Sequence, residues 1–127
     1  MRILLTHPDK NVEYRLYREL ILWYYDVDRT VSGIDAECKL DLREYDLAIL
    51  PDYCAYGDQR ILRGLAMRNF GEDFPIIVRS TGYEESVIGV PYEPWAKLYH
   101  NGEEIYIGNR AIDISKVVRE LIPVFDL

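Results

Sequence analysis

The chain has 127 residues, of which 49% are hydrophobic and 29% are charged, and its net charge is −7. This length suits a single α/β domain spanning residues 1–127, with one core that buries roughly two thirds of the unfolded surface. The acidic balance argues against an extended nucleic-acid interface, which needs clustered Lys and Arg.

The cysteines, the histidines and the hydropathy pattern limit the kinds of site and the cellular location that the sequence favours. Cys38 and Cys54 make no disulfide framework, and with only His7 and His100 beside them they form no metal-binding pattern. The sequence has no apolar run long enough for a membrane span, and its N-terminus leads directly into a strand instead of a signal peptide. We therefore expect a cytoplasmic protein with no membrane partner, no cofactor and no bound metal.

The N-terminal segment predicts a strand followed by a helix. Residues 2–6 (RILLT) form a short apolar run that is typical of a buried central strand, and the turn at 7–9 ends it. Asp9 or Asn11 is a suitable N-cap for the helix that follows, since both side chains accept hydrogen bonds from free backbone N–H groups. Its apolar stripe is expected to end near Asp26.

The next segments predict strands. Residues 27–40 contain two alternating stretches, VDRTV and DAECKL, which indicate one or two short strands at a sheet edge. Residues 46–50 (DLAIL) predict a strand buried on both faces, and Pro51 stops it because proline donates no ladder hydrogen bond.

A helix and a third buried strand follow. Asp58 is a good N-cap, and the apolar positions after it recur at helical spacing up to Gly71, which suits a helix C-terminus. The apolar run at 75–80 (PIIVRS) then predicts another buried strand.

The C-terminal segment carries the strongest hairpin signal of the sequence. Ala96–His100 and Glu103–Ile107 alternate in hydropathy and are joined by Asn101-Gly102, which is typical of a type I′ turn. Asp113 is expected to cap a last helix with an apolar inner face.

These segments together predict a fold. Parallel strands linked through helices require right-handed crossovers, which place helices on both sheet faces. We therefore predict a three-layer Rossmann or flavodoxin-like α/β domain with a mostly parallel sheet and a C-terminal β-hairpin.

That topology also locates a candidate site. The carboxyl ends of the strands at 2–6, 46–50 and 75–80 meet at one edge, so the loops after them converge. Asp9 and Asp58 are explained as helix caps, which leaves Asp52 as the carboxylate without a structural role. The predicted ligand-binding residues are His7, Asp9, Asp52, Tyr53, Tyr56, Ser80 and Thr81. No glycine-rich phosphate loop and no G-x-S-x-G motif occurs, and no residue is assigned as catalytic.

The segments MRILL, YDLAILPD and FPIIVRS resemble the first, third and fourth strands of the receiver domains of response regulators. Ser80 lies where that family has a hydroxyl residue. The family's acidic pair is replaced by His7-Pro8, its phosphoacceptor position falls on Pro51 with Asp52 one residue late, and no Lys-Pro follows the last strand. The resemblance implies a degenerate receiver that is not phosphorylated.

The chain also resembles the nucleoside 2-deoxyribosyltransferase-like group. Gly64 and Ala66 match that group's helix motif, and Phe74-Pro75 with the two isoleucines after it matches the strand that follows. The position of the catalytic glutamate is Leu62. This resemblance implies a nucleotide-shaped pocket without the covalent sugar chemistry.

Three functions remain open from the sequence. The first is binding of a nucleotide-like or phosphorylated small ligand at the strand ends, without catalysis. The second is a protein–protein interaction module, a pseudo-receiver or an acidic adaptor for a basic partner, with Tyr92 and Trp95 as anchors. The third is a deoxyribosyltransferase-like or hydrolytic enzyme that uses His7 and Asp52. Homodimerisation through the hairpin edge or the tyrosine-rich first helix is compatible with each.

Overall fold

The computed structural model describes residues 1–9, 13–53, 58–81, 89, 91 and 93–123. Six strands and four helices occur in these ranges. In chain order they are β1 (Arg2–Thr6), α1 (Tyr14–Leu22), β2 (Asp26–Thr30), α2 (Gly33–Leu42), β3 (Leu47–Pro51), α3 (Gln59–Phe70), β4 (Ile76–Arg79), β5 (Ala96–His100), β6 (Glu103–Ile107) and α4 (Ala111–Leu121). Within the described ranges, none of the helices combines the length and the hydropathy needed to cross a bilayer.

All six strands form one sheet in the order β2-β1-β3-β4-β5-β6. The first four strands in this order are parallel, with Leu5 beside Ile49 and Ile49 beside Ile77. The prediction that 2–6, 46–50 and 75–80 run side by side in one direction is therefore confirmed. β5 is antiparallel to β4, and the β5–β6 hairpin completes the sheet.

Helices cover both sheet faces, as the predicted three-layer α/β fold requires. Alternate residues of the central strands enter two separate cores, because successive side chains of a strand point to opposite faces. The α1/α4 core includes Ile3 and Ile49 with residues of α1 and α4. The α2/α3 core includes Leu4 and Leu50 with residues of α2 and α3. The predicted fold class is confirmed.

Helix α3 and the hairpin form where the sequence predicts them. The Asp58 side chain accepts a hydrogen bond from the Arg60 N–H at 2.8 Å, and Gly71 follows the helix at φ 108°. In the hairpin turn, Asn101 and Gly102 have φ values of 53° and 77°. Two consecutive left-handed residues are the requirement of a type I′ turn, which explains the Asn-Gly sequence.

Of the one or two short strands predicted in residues 27–40, one forms, and the prediction of a strand in the second half of this segment is wrong. The first stretch is the edge strand β2, but DAECKL lies in helix α2. The Ser32 side chain caps this helix by accepting the Asp35 N–H at 3.2 Å. Ala36 and Leu40 are buried whereas Cys38 between them is exposed, so the inward face follows the helical i, i+4 spacing.

Two predicted helix boundaries also need correction. Helix α1 begins at Tyr14 and ends at Leu22, because the chain must turn before β2 starts at Asp26. Asp9 does not cap it, and Asn11 lies outside the described residues. Helix α4 begins before Asp113, whose carboxylate instead accepts a hydrogen bond from the Arg110 guanidinium at 2.8 Å in the first turn.

Candidate functional site at the carboxyl edge of the sheet

The candidate site lies where β1, β3 and β4 end. Because these strands are parallel and adjacent, residues 7–9, 52–53 and 80–81 follow them at the same edge of the sheet. The prediction for Tyr56 lies outside the described residues. The hydrogen bonds of the other predicted residues show which of their side chains lie together.

His7 is buried and held from both sides. Its backbone N–H donates to the Thr30 carbonyl at 3.0 Å, and its Nδ1 accepts the Asp9 N–H at 3.0 Å. Nδ1 also lies 3.1 Å from the Asp9 carbonyl oxygen, so both backbone groups of Asp9 are within hydrogen-bond distance of this ring atom. Burial lowers the pKa of His7, and the nearby carboxylate of Glu13 opposes that effect without cancelling it. The ring is consequently mostly neutral at pH 7.

Beside His7 lies a buried ion pair that the sequence does not reveal. Glu13, immediately before α1, is 2% exposed, and its Oε1 accepts a hydrogen bond from the Arg79 guanidinium. Arg79 also donates to the Asn109 carbonyl at 2.6 Å. This arginine therefore connects the end of β4 with the start of α1 and with the segment before α4. A feature of the sequence that points to this ion pair is Arg79, a charged residue at the end of an otherwise apolar strand.

The ion pair leaves one carboxylate oxygen unused. Glu13 Oε2 is buried and has no hydrogen-bond partner among the described residues. A cavity of about 10 Å³ lies next to it, lined by Leu5, His7, Glu13, Arg29 and Thr30. That volume matches a single water molecule, which is the usual partner of a buried polar atom of this kind.

Asp52 has a structural role, which corrects the expectation that it lacks one. Its Oδ1 accepts the Thr81 N–H at 2.7 Å and the Thr81 hydroxyl at 2.8 Å. The Asp52 N–H donates to the Arg79 carbonyl at 2.8 Å. The loops after β3 and β4 are thereby joined through Asp52. Tyr53, the next residue, is 39% exposed.

Ser80 binds the backbone at the start of β5. Its hydroxyl accepts the Trp95 N–H at 2.7 Å and donates to the Trp95 carbonyl at 3.1 Å. A residue predicted for the ligand site therefore holds the one predicted as a partner anchor. The second predicted anchor, Tyr92, lies outside the described residues.

The structure thus distributes the predicted residues over three local pairs. His7 contacts Asp9, Asp52 contacts Thr81, and Ser80 contacts Trp95. Across the described ranges, no group of three or more His, Cys, Asp or Glu side chains is arranged to hold a metal ion.

A second feature lies on the hairpin, on the side of the α2/α3 core. Lys97 Nζ is 5.1 Å from the centre of the Trp95 ring and 4.9 Å from that of Tyr106, and it pairs with Glu104 at 2.7 Å. In the β5–β6 register Lys97 is opposite Tyr106, and Tyr99 is opposite Glu104. We call these five residues the hairpin face: Trp95, Lys97, Tyr99, Glu104 and Tyr106.

Comparison with known proteins agrees with the architecture. The chain is similar to the non-phosphorylated HemR receiver domain from Leptospira biflexa, with a TM-score of 0.54 and 20% sequence identity, over 72% of this chain and 83% of that chain. The chain has a receiver-like fold. No family model matches its sequence, and no curated protein matches it. The receiver-like resemblance is therefore confirmed for the fold, and the deoxyribosyltransferase resemblance stays a prediction.

The receiver-like fold allows the family positions to be located in space. Pro51, at the phosphoacceptor position of the resemblance, is the last residue of β3 and is buried opposite Arg79. The carboxylate that follows it, Asp52, is engaged by Thr81. Leu62, at the glutamate position of the deoxyribosyltransferase resemblance, is fully buried in the α2/α3 core.

Proposed function

We propose that this chain is a receiver-like domain that does not transfer phosphate and that binds a protein partner through the hairpin face. The observation that carries this proposal is the row of three aromatic rings and a lysine on the β5–β6 hairpin, of which the Tyr106 ring is largely exposed. This proposal is a more specific form of the interaction-module alternative, and we rank it ahead of ligand binding at the strand ends.

The hairpin face has the composition of a binding hot spot. Tyr106 is 70% exposed, and Trp95 and Tyr99 are half-buried, so their rings are already held in place by the α2/α3 core. Aromatic side chains give a large contact area at a small cost in conformational entropy, and they dominate the binding energy of many interfaces. Lys97 lies over two of these rings, which orders the face before a partner arrives.

The strand ends support the absence of phosphotransfer. A receiver-type acceptor is a carboxylate, whereas the phosphoacceptor position of the resemblance is Pro51, and Oδ1 of the next residue, Asp52, accepts both donors of Thr81. Incubation with acetyl phosphate, followed by measurement of the intact mass, is expected to show no added phosphoryl group. A stoichiometric gain of one phosphoryl group, lost in Asp52→Asn, would contradict this part of the proposal.

The partner is expected to be basic. The chain has a net charge of −7, and complementary charge raises the association rate and makes binding sensitive to salt. Binding that is unchanged between low and high salt concentrations would argue against a basic partner.

The test compares variants of the hairpin face with a matched tyrosine elsewhere. Immobilised wild type, Tyr106→Ala and Trp95→Ala are compared with Tyr14→Ala, whose ring is 52% exposed on α1, in the opposite helix layer. We expect a partner from the source cells to be retained by wild type and Tyr14→Ala and lost by the two hairpin variants. Tyr92→Ala, at the other sequence-predicted anchor, belongs in the same series. Equal retention by all variants would overturn the assignment of the surface.

Binding of a small ligand at the strand ends is the second candidate. The polar residues 7–9, 52–53 and 80–81 favour it, because they converge at the sheet edge where parallel α/β sheets bind ligands. A panel of nucleotides and phosphorylated metabolites should then raise the free energy of unfolding, by about 2.7 kcal/mol at a hundredfold excess over Kd. A flat response at millimolar ligand would remove this candidate.

A further inference from the structure

The hairpin face continues into a cavity of about 280 Å³ between α3 and the hairpin turn. Tyr99 and Glu104 belong to both, so a partner on the hairpin face reaches this cavity without leaving the surface. The cavity lies at the opposite end of β4 from the candidate ligand site, since Ile76, the first residue of β4, lines it.

The floor of the cavity is apolar and its mouth is acidic. Phe74 and Ile76 form buried parts of the lining, together with the half-exposed thioether of Met67. The charged lining residues are three glutamates against one arginine, which gives a formal charge of −3 + 1 = −2. A lining of this kind suits a side chain with an apolar stem and a positive end.

The ion pairs show which of the three glutamates at the cavity already has a positively charged partner. Glu104 is engaged by Lys97, whose hydrogen bond holds the pKa of Glu104 below its usual range, and the charge of Arg63 acts in the same direction. Glu72 and Glu103 form no ion pair within the described part of the chain. The carboxylates of Glu72 and Glu103 therefore lie at the mouth without an ion-pair partner among the residues that the structure describes.

We propose that this cavity receives an arginine side chain of the partner protein. The guanidinium group can make paired hydrogen bonds to Glu72 or Glu103, and its three-carbon stem can cover Phe74 and Met67. The wall already contains a guanidinium–aromatic contact of the same chemistry, because Arg63 lies 4.0 Å from the centre of the Tyr99 ring. This inference rests on the proposed function and adds the residue type that the partner presents.

The size of the cavity is compatible with a long side chain as the occupant. Sites for drug-sized ligands have volumes of roughly 300–1,000 Å³, whereas this cavity lies just below that range. A long side chain can enter a cavity of this volume, and the rest of the partner would then contact the hairpin face.

The experiment uses the chain's two methionines as reporters. Met67 lines the cavity, and Met1 precedes β1, which is separated from the hairpin by β3 and β4. With methyl-labelled methionine, NMR spectra are recorded while the full chain is titrated with the peptide acetyl-Gly-Arg-Gly-amide. The same peptide with citrulline, which has the same shape but no charge, is the control ligand.

We expect the arginine peptide to shift the Met67 methyl signal in a saturable way and to leave Met1 unchanged. The double variant Glu72→Gln/Glu103→Gln should weaken binding at least fivefold, whereas Glu120→Gln, an exposed glutamate on α4, should bind as wild type does. Equal shifts with the citrulline peptide, or full binding by the double variant, would overturn the cavity assignment. Equal binding of a lysine peptide would overturn the choice of arginine.

The outcomes separate this inference from the proposed function. If Tyr106→Ala loses the partner while Glu72→Gln/Glu103→Gln retains it fully, the hairpin face is supported as the binding surface and the cavity assignment is overturned. If neither variant loses the partner, the proposed function fails as well.

Discussion

The Asp52 carboxylate accepts both the backbone N–H and the hydroxyl of Thr81, at 2.7 and 2.8 Å. This relationship joins the loops after β3 and β4 at the edge where a parallel α/β sheet binds its ligands. A carboxylate that holds two donors of a neighbouring loop is a structural group first. Its removal therefore tests stability before it tests binding.

Asp52→Ala should lower the free energy of unfolding by about 1–3 kcal/mol, because both Thr81 donors lose their acceptor. Asp52→Asn should cost less, since the amide oxygen still accepts hydrogen bonds, and Thr81→Val should remove only the hydroxyl contribution of about 1 kcal/mol. Denaturant titrations measure all three. If Asp52→Ala is as stable as wild type, the carboxylate is free to serve a ligand.

His7 should make stability depend on pH near neutrality. Its folded pKa lies below the value of about 6.5 of an exposed imidazole, chiefly because burial penalises the charged ring. Between the two values the unfolded chain binds a proton that the folded chain does not. The stabilising contribution is therefore fully present above about pH 6.5, and it decreases as the pH falls through that value towards the folded pKa.

The measurement compares the free energy of unfolding of wild type and His7→Gln from pH 5.5 to 7.5. Wild type should lose more stability on acidification than the variant does. Because His7→Gln still contains His100, the difference between the two slopes belongs to His7. Parallel slopes would contradict the lowered pKa.

The sequence predicts the architecture correctly where the backbone preference of a segment agrees with its place in the core. The buried strands, the capped helix α3 and the Asn-Gly hairpin each combine a hydropathy period with the turn chemistry that the backbone needs. Helix α2 was missed because its short apolar set, Ala36 and Leu40 with Cys38 between them, satisfies a strand period and a helix period equally. The decisive signal there was the Ser32 cap.

The site was predictable in location but not in its contacts. Topology alone places residues 7–9, 52–53 and 80–81 at one edge. Which donor meets which acceptor depends on loop conformations, so the Asp52–Thr81 and Ser80–Trp95 pairs could not be read from spacing. The buried Glu13–Arg79 pair joins residues far apart in the chain, and a glutamate before a helix looks like ordinary surface in a sequence.

Breaking that buried pair should be costly. Arg79→Met leaves the Glu13 carboxylate buried without its counter-charge and frees the Asn109 carbonyl, so we expect a loss of about 3–5 kcal/mol. Arg60→Met is the control, because the Arg60–Asp58 pair is exposed and contributes at most about 1 kcal/mol. Thermal and denaturant unfolding measure the loss of stability in both variants. Similar small losses would contradict a structural role for Arg79.

The Tyr45 hydroxyl should stabilise the edge strand β2. It donates to Asp28 at 2.7 Å, and Arg43 binds the same carboxylate. Burial alone would raise the pKa of Asp28, but this hydrogen bond and the arginine charge outweigh it and lower the pKa. Tyr45→Phe should therefore cost about 1.5–3 kcal/mol, as for a bond to a charged group. The same change at the exposed Tyr106 should leave stability unchanged in a parallel denaturant titration.

Two glycines should respond to alanine in opposite directions. Gly102 has φ 77° in the hairpin turn, where an alanine side chain is strained, so Gly102→Ala should lose about 1 kcal/mol. Gly64 lies exposed on α3 with no atom within 4 Å of an added Cβ, so Gly64→Ala should gain up to about 1 kcal/mol from helix propensity. The two unfolding midpoints, measured together, should move apart relative to wild type. A stabilising Gly102→Ala would show that the turn adopts a different conformation, and with it a different register of the hairpin face.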